Sequence, residues 1–357
     1  MRAACAVFCL LAVRVWGQEA ASGFELRTTI TAAAFASDEL SAPPRSGARA
    51  AAGMRAMLYP TWKIGANWAV AGAVQVHTRP FFAEQFTTQG YGVRADLLQT
   101  HLTYSRYWKN SSLAVRAGQL SSAFGAFLLR YDDLDNPLVD MPPQYGYYYK
   151  GVTSYGLAGA QVDFTSGKLD ARAQFVNSSP ANRRSVFDSD QYGNWAAGAG
   201  YTIQQGLRIG VSAYRGPYLH REYRYYRPGE AKPRELPASA VGLDAQWARG
   251  HWSTWAEWQW FRREYRAMPT FSETVGYGEG RRVLHPRWYV AARVSYAASS
   301  AAGARHVYES ALGFRPNRHQ LIKAGYQITR RLGAADGGGA FAVQIVTGFR
   351  PLSIARD

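Results

Sequence analysis

The chain has 357 residues, with 41 Lys and Arg against 25 Asp and Glu and a formal net charge of +16 at pH 7. Aromatic residues make up 14%, and the two cysteines, Cys5 and Cys9, both lie within the first ten positions. That excludes a disulfide framework, a Cys-ligated metal and a thiol nucleophile for everything downstream. No later apolar run approaches the roughly 20 residues that a membrane-spanning helix needs.

Residues 1–17, MRAACAVFCLLAVRVWG, read as a secretory signal. Arg2 precedes an apolar run from Ala3 to Val13, and Val15 and Gly17 suit the small-residue positions of a cleavage site. Export is the expectation. The mature chain is then 18–357, with 39 basic residues left against the same 25 acidic ones.

From there the sequence falls into short segments that alternate apolar with small or polar side chains, the signature of transmembrane β-strands. Phe24 to Ile30, Met54 to Trp62, Trp68 to Val76, Leu98 to Tyr104 and Leu113 to Ala117 come first. After a long interruption follow Ala158 to Phe164, Leu169 to Phe175, Trp195 to Tyr201, Leu207 to Ala213, Val241 to Trp247 and Trp252 to Trp260. Phe271 to Tyr277 fits least well, because Glu273 shares a face with Phe271 and Val275. Trp288 to Tyr296, Tyr308 to Phe314, Ile322 to Ile328 and Phe341 to Phe349 complete sixteen, an even number as closed bacterial barrels require. The class is all-β, a transmembrane antiparallel barrel. A soluble sandwich would need faces richer in Val and Ile than these Ala, Gly and Trp faces.

Seven short connectors alternate with eight longer polar ones, the asymmetry of an outer-membrane barrel. The short connector at 279–286, EGRRVLHP, is longer than its siblings. Among the long ones, 121–152 is the third and joins strands five and six. It is Pro-rich and acidic yet carries Phe124, Phe127, Leu128 and Leu129, which should anchor it to the wall while its aspartates face the path. Loop 215–238 mixes arginines with tyrosines and reads as a funnel for anionic solutes, a contact for lipopolysaccharide phosphates, or simply a charged extracellular loop kept soluble. Nucleic acid is a poor partner for an exported chain.

Sixteen strands enclose an interior wide enough for water. The inward faces offer Arg116, Arg172, Arg208, Arg293 and Lys323 as cations and Asp170, Asp244, Glu257 and Glu309 as anions. The loop adds Arg130, Asp132, Asp133, Asp135 and Asp140. Acids on a loop facing arginines on a wall set a transverse field that screens polar solutes. The bland alternative is a set of solvated charges paired for barrel stability. No G-x-S-x-G, H-E-x-x-H or Gly-rich phosphate loop is present, so neither catalysis nor a cofactor is expected.

The wording AGQLSSAFGAF, RYDD, NPL and P..YG across residues 117–146, followed by GLAGAQVDF, resembles the corresponding region of the phosphate-selective porin-like outer-membrane proteins. The tail, YESALGFRPNRHQLIKAGYQITR with a last segment ending in VTGF, is similar to the end of that family. The resemblance implies a sixteen-stranded outer-membrane porin with its third loop folded into the lumen, passing small hydrophilic solutes with an anion lean, and a homotrimer. A barrel with a blocked lumen, working by binding or surface interaction, is the competing expectation. The chain departs from the family in two ways: RPLSIARD follows Phe349, where members end on an aromatic residue, and no dense arginine ladder or lysine cluster matches. Phosphate selectivity is therefore not carried over.

Overall fold

The computed structural model describes residues 22–37, 50–79, 81, 92–145, 155–178, 193–218, 235–265, 269–300, 303–331 and 338–355. Residues 1–17, expected to be a secretory signal, residues 219–234 of the arginine- and tyrosine-rich loop, residues 146–154 of the long third loop and most of the other long connectors lie outside these.

Sixteen strands follow in chain order. They are β1 (Gly23–Ser37), β2 (Ala50–Lys63), β3 (Trp68–Arg79), β4 (Gly92–Tyr107), β5 (Ser111–Leu120), β6 (Leu157–Ser166), β7 (Leu169–Asn177) and β8 (Gly193–Gln204). Then come β9 (Leu207–Pro217), β10 (Pro237–Arg249), β11 (Trp252–Arg263), β12 (Phe271–His285), β13 (Trp288–Ser299), β14 (Gly303–Asn317), β15 (Gln320–Arg331) and β16 (Gly339–Ala355). Each pairs antiparallel with its neighbours in sequence, and β1 pairs with β16, so the sheet closes into a barrel.

The period-2 pattern decides which face looks out. On β13, Trp288, Val290 and Val294 are exposed, while Tyr289, Ala291, Arg293 and Ser295 between them are buried. The exposed face is apolar around the wall and is edged by aromatic residues at both ends. Trp62, Trp68, Trp108 and Trp252 stand near the short turns, and Phe175, Trp195, Trp260 and Phe341 near the long connectors. An apolar band flanked by aromatic girdles is the outside that a barrel presents to lipid.

Two expectations change here. Segment 271–277 is not marginal but the first half of a 15-residue strand. Its difficulty was one of face: Glu273, Val275, Tyr277 and Glu279 are all buried on the same side, and Glu273 meets Arg263 at 3.0 Å. Correspondingly, 279–286 is no turn. β12 runs through Gly280, Arg281 and Arg282 to His285, leaving a two-residue connection at 286–287. The residues after Phe349 also continue β16, pairing as far as Ala355 with Gly23.

Gly118, three residues before the third loop leaves the sheet, has φ +137, and a Cβ there would sit 2.3 Å from the Thr100 carbonyl oxygen. A side chain is strained in that region of backbone space and also collides with β4. Gly118→Val should cost on the order of 1–3 kcal/mol and lower the temperature at which the barrel shifts to its unfolded mobility in gel electrophoresis. An unchanged transition would show that β5 accommodates the side chain.

Candidate functional site

Residues 121–145 leave β5 without regular strand structure and include two short 3₁₀ turns, Phe127–Arg130 and Pro143–Tyr145. Their partners lie on the buried faces of strands all around the barrel. Apolar side chains fix the segment at three places. Phe124 is fully buried against Tyr214, Phe261 and Val275, with the Phe261 ring edge-on at 5.9 Å. Leu138 packs among Tyr289, Leu321 and Val346, and Leu128 and Tyr131 pack against Met57, Leu98 and Tyr155. Phe127 is buried as well, whereas Leu129 is exposed and anchors nothing.

The polar contacts are denser. Asp133 forms a two-pronged ion pair with Arg55, at 2.5 Å and 3.0 Å, and accepts a hydrogen bond from Thr31 at 2.6 Å. Burial pushes against its charged form, but Arg55 and Lys323 hold the carboxyl below the usual range. Asp132 accepts from Tyr59 at 2.6 Å and from Thr29 at 2.9 Å. On β15, Lys323 is fully buried and donates to the backbone carbonyls of Asp133, Asn136 and Leu138 at 2.9, 3.1 and 2.9 Å. One ammonium thus caps a whole turn of the segment.

A second knot joins β12, β13 and β14. Arg293, 1% exposed, donates to Glu309 at 2.6 Å, to Glu279 at 3.1 Å and to the Asp140 carbonyl at 2.7 Å. Arg130 reaches the same Glu279 and the Tyr277 hydroxyl, and its guanidinium lies 4.3 Å from the centre of the Trp255 ring. Burial raises the Asp140 carboxyl above its ordinary value, and nearby Asp133 adds to the rise. At the third knot, Glu257 accepts from the Tyr145 hydroxyl at 2.6 Å and from the Ala126 amide at 3.0 Å. Close by, Arg172 donates to the Gly125 carbonyl at 2.6 Å.

Of the residues singled out from sequence, the segment therefore gathers Arg130, Asp132, Asp133, Asp140, Arg172, Glu257, Arg293 and Lys323. Arg208 on β9 instead bridges Asp170 on β7, reaching across β8, and Asp244 on β10, at 2.6 and 2.5 Å. Arg116 pairs with Asp163 at 3.3 Å. Three of the four loop aspartates are buried, and Asp132 and Asp133 are bound to wall side chains, so they act as anchors instead of standing free along a path. The physical reason is that an unpaired carboxylate in this crowded space would be costly. Asp135 is the exception, with an exposed side chain. The protein massed around it and the neighbouring Asp132 push its carboxyl up to about 6, against the pull of Arg27, Arg315 and Arg130. Water on its open side weakens that push.

Sequence reasoning missed Arg55, Glu279 and Tyr145. Arg55 stands on the polar face of β2 with nothing in the sequence to mark it, and the turn-like wording EGRRVLHP hides Glu279. Tyr145 is one of several tyrosines in a row of turn residues, and only the fold brings it to Glu257.

The Lys323 contacts have a direct consequence. Lys323→Met leaves the carbonyls of Asp133, Asn136 and Leu138 without their donor while Asp133 keeps Arg55, a loss of about 1–3 kcal/mol for buried acceptors left unsatisfied. Limited proteolysis within 121–145 should become faster while the barrel still forms. Cleavage at the native rate would mean that the ammonium does not hold the segment.

No protein-family model matches the chain, and no curated protein matches its sequence. Solved structures do match in fold. OmpT, an outer membrane protein of Vibrio cholerae in its trimer form, superposes with a TM-score of 0.60 at 9% identity, over 92% of this chain and 100% of that one. An anion-selective porin from Comamonas acidovorans gives a TM-score of 0.60 at 12% identity, over 93% and 100%. Salmonella typhi OmpF, solved with daunomycin, gives a TM-score of 0.60 at 12% identity, over 93% and 100%. At these identities the likeness is one of architecture: this chain has the closed sixteen-stranded barrel that those outer-membrane proteins share.

Proposed function

We propose that the chain is an outer-membrane porin, a water-filled channel through which small hydrophilic solutes diffuse passively, with an anion lean. The observation that carries this reading is the span of segment 121–145. Its partners include Thr31 and Arg55 on β1 and β2, Glu257 and Arg293 on β11 and β13, and Lys323 on β15. A segment tied to opposite walls narrows the lumen that sixteen strands enclose. Under this reading residues 1–17 are the export signal, the apolar band faces outer-membrane lipid, and lipopolysaccharide meets the long connectors. The protein assembles as a homotrimer and carries out no catalysis.

The anion lean rests on charge. The whole chain is strongly basic, and the loop carboxylates that would attract cations are mostly occupied by Arg55, Thr29, Thr31 and Tyr59. Asp135 remains as an open negative group in the path.

The same span also favours a second reading, in which the segment closes the lumen and the barrel works by binding. Conductance separates the two. Purified protein in a planar bilayer should conduct, and in a KCl gradient its reversal potential should have the sign of anion preference. Conductance that appears only after 122–145 is replaced by a short Gly-Ser link would support the closed barrel and sink the porin. Cation preference would remove the anion clause alone.

Asp135 makes that preference depend on pH. Its raised carboxyl is charged at pH 7.5 and loses the charge as pH falls through about 6. Anion preference should therefore strengthen between pH 7.5 and pH 5. Asp135→Asn should show the stronger preference throughout and a flatter profile. Equal pH dependence in the native protein and the variant would take Asp135 out of the path.

A further inference from the structure

The exposed face of β10, β11 and β12 near the short turns carries an arrangement that a channel does not use. Arg249 and Arg282 each stand directly opposite Trp252, one on either neighbouring strand. Directly opposed side chains on one face start about 5 Å apart, so an arginine is rooted on either side of one tryptophan. The Arg282 guanidinium carbon lies 5.2 Å from the centre of the Trp252 ring. All three residues are exposed. The face they share continues through Trp258 and Leu243, the apolar outside of the wall.

Two cations on an apolar wall call for an anion. Among the described residues no carboxylate pairs with Arg249 or Arg282. The acids of these three strands, Asp244, Glu257, Glu273 and Glu279, are all buried on the opposite face. Elsewhere on the same rim Lys168 already donates to the Ile203 carbonyl.

Beyond Arg282 the same face of β12 presents Gly280, Gly278 and Gly276. A Cβ at Gly278 would meet nothing within 4 Å, and one at Gly280 only the Thr254 methyl at 4.0 Å. At Gly276 the space is taken, since an added Cβ would lie 2.2 Å from the Trp258 ring. Trp258 in turn stacks on Tyr296 with centroids 5.6 Å apart and planes at 9°. The result is a short furrow with Ala256 and Val294 beside it in register. Its mouth is cationic and its far end is an aromatic wall.

We propose that this face binds one anionic phospholipid. The headgroup phosphate sits between Arg249 and Arg282 at the edge of Trp252, and an acyl chain lies along the furrow over Gly278 and Gly280. Arginine matches a phosphate with paired N–H donors, and a tryptophan beside it is suited to the boundary between acyl chains and headgroups. The position at the short-turn end, opposite the long connectors, selects a membrane phospholipid. The inference rests on the membrane location proposed above and not on conduction.

Native mass spectrometry of the full-length protein, incubated in detergent with equal amounts of phosphatidylglycerol or phosphatidylcholine, tests it. The native protein should retain phosphatidylglycerol about tenfold over phosphatidylcholine, the scale of one strong charge-assisted contact. Arg249→Gln with Arg282→Gln should abolish the preference, and Gly278→Leu, which leaves both arginines, should reduce retention of both lipids. Lys63→Gln with Lys109→Gln removes two cations from the same rim and should change nothing. Equal retention of the two lipids, an unchanged preference in the double arginine variant, or an equal loss in the double lysine variant would each overturn the site. Bilayer conductance of the same preparations reports separately: a protein that keeps its lipid but does not conduct sinks the channel and leaves this site standing.

Discussion

Asp133, held between Arg55 and Lys323, is the contact on which the interior depends. It ties β2 and β15 to the third loop, and those strands meet it only because β1 and β16 close the sheet between them. Each of the three charges is buried, and the single carboxylate serves both cations: removing Asp133 would leave Arg55 and Lys323 without compensation in a poorly solvated space. Lys323 adds a constraint of shape, since its three carbonyl acceptors must be turned toward a single nitrogen. The path of the backbone from Asp133 to Leu138 is therefore specified by one side chain on the wall.

The same logic recurs at Arg293 and Glu257, so the third loop is held by polar knots with apolar plugs between them. Phe124 and Leu138 fill space, while the charged groups set position. This division suits a crowded polar interior. Dispersion contacts tolerate small shifts, but a bidentate ion pair or a carbonyl cage does not. A barrel whose outer face is fixed by lipid and whose inner face is fixed by such knots keeps its cross-section with little dependence on the connectors beyond the rim.

Much of this architecture was legible in the sequence. Alternation with period 2 located all sixteen strands, because a wall with lipid on one side and polar groups on the other leaves few exceptions to the rule. Where reading failed, the rule itself had been relaxed. Val275 and Tyr277 are apolar or aromatic and yet face inward, packing near Phe124 and Phe127, so β12 looked irregular and its far half, with Glu279, was taken for a turn. The site was less legible. Charges on inward strands could be enumerated, but which of them meet depends on where a 25-residue segment without periodicity comes to rest. Arg55 and Lys323 lie far apart in sequence and carry no mark of a shared partner. The aspartates of the loop were noticed, and their role as anchors was not, because it depends on the supply of partners around them.

Closure has a further consequence for how the chain reaches this state. Fifteen of the sixteen strand neighbours are consecutive in sequence and can zip as hairpins, whereas β1 and β16 join the two ends of the described chain. Assembly is thus local everywhere except at one seam, which is the single closure of long sequence separation in the fold. Until it forms, β1 and β16 are open edges, and the Arg55 and Lys323 sides of the Asp133 knot are at opposite ends of an unrolled sheet. The Asp133 knot is therefore complete only once β1 and β16 have met.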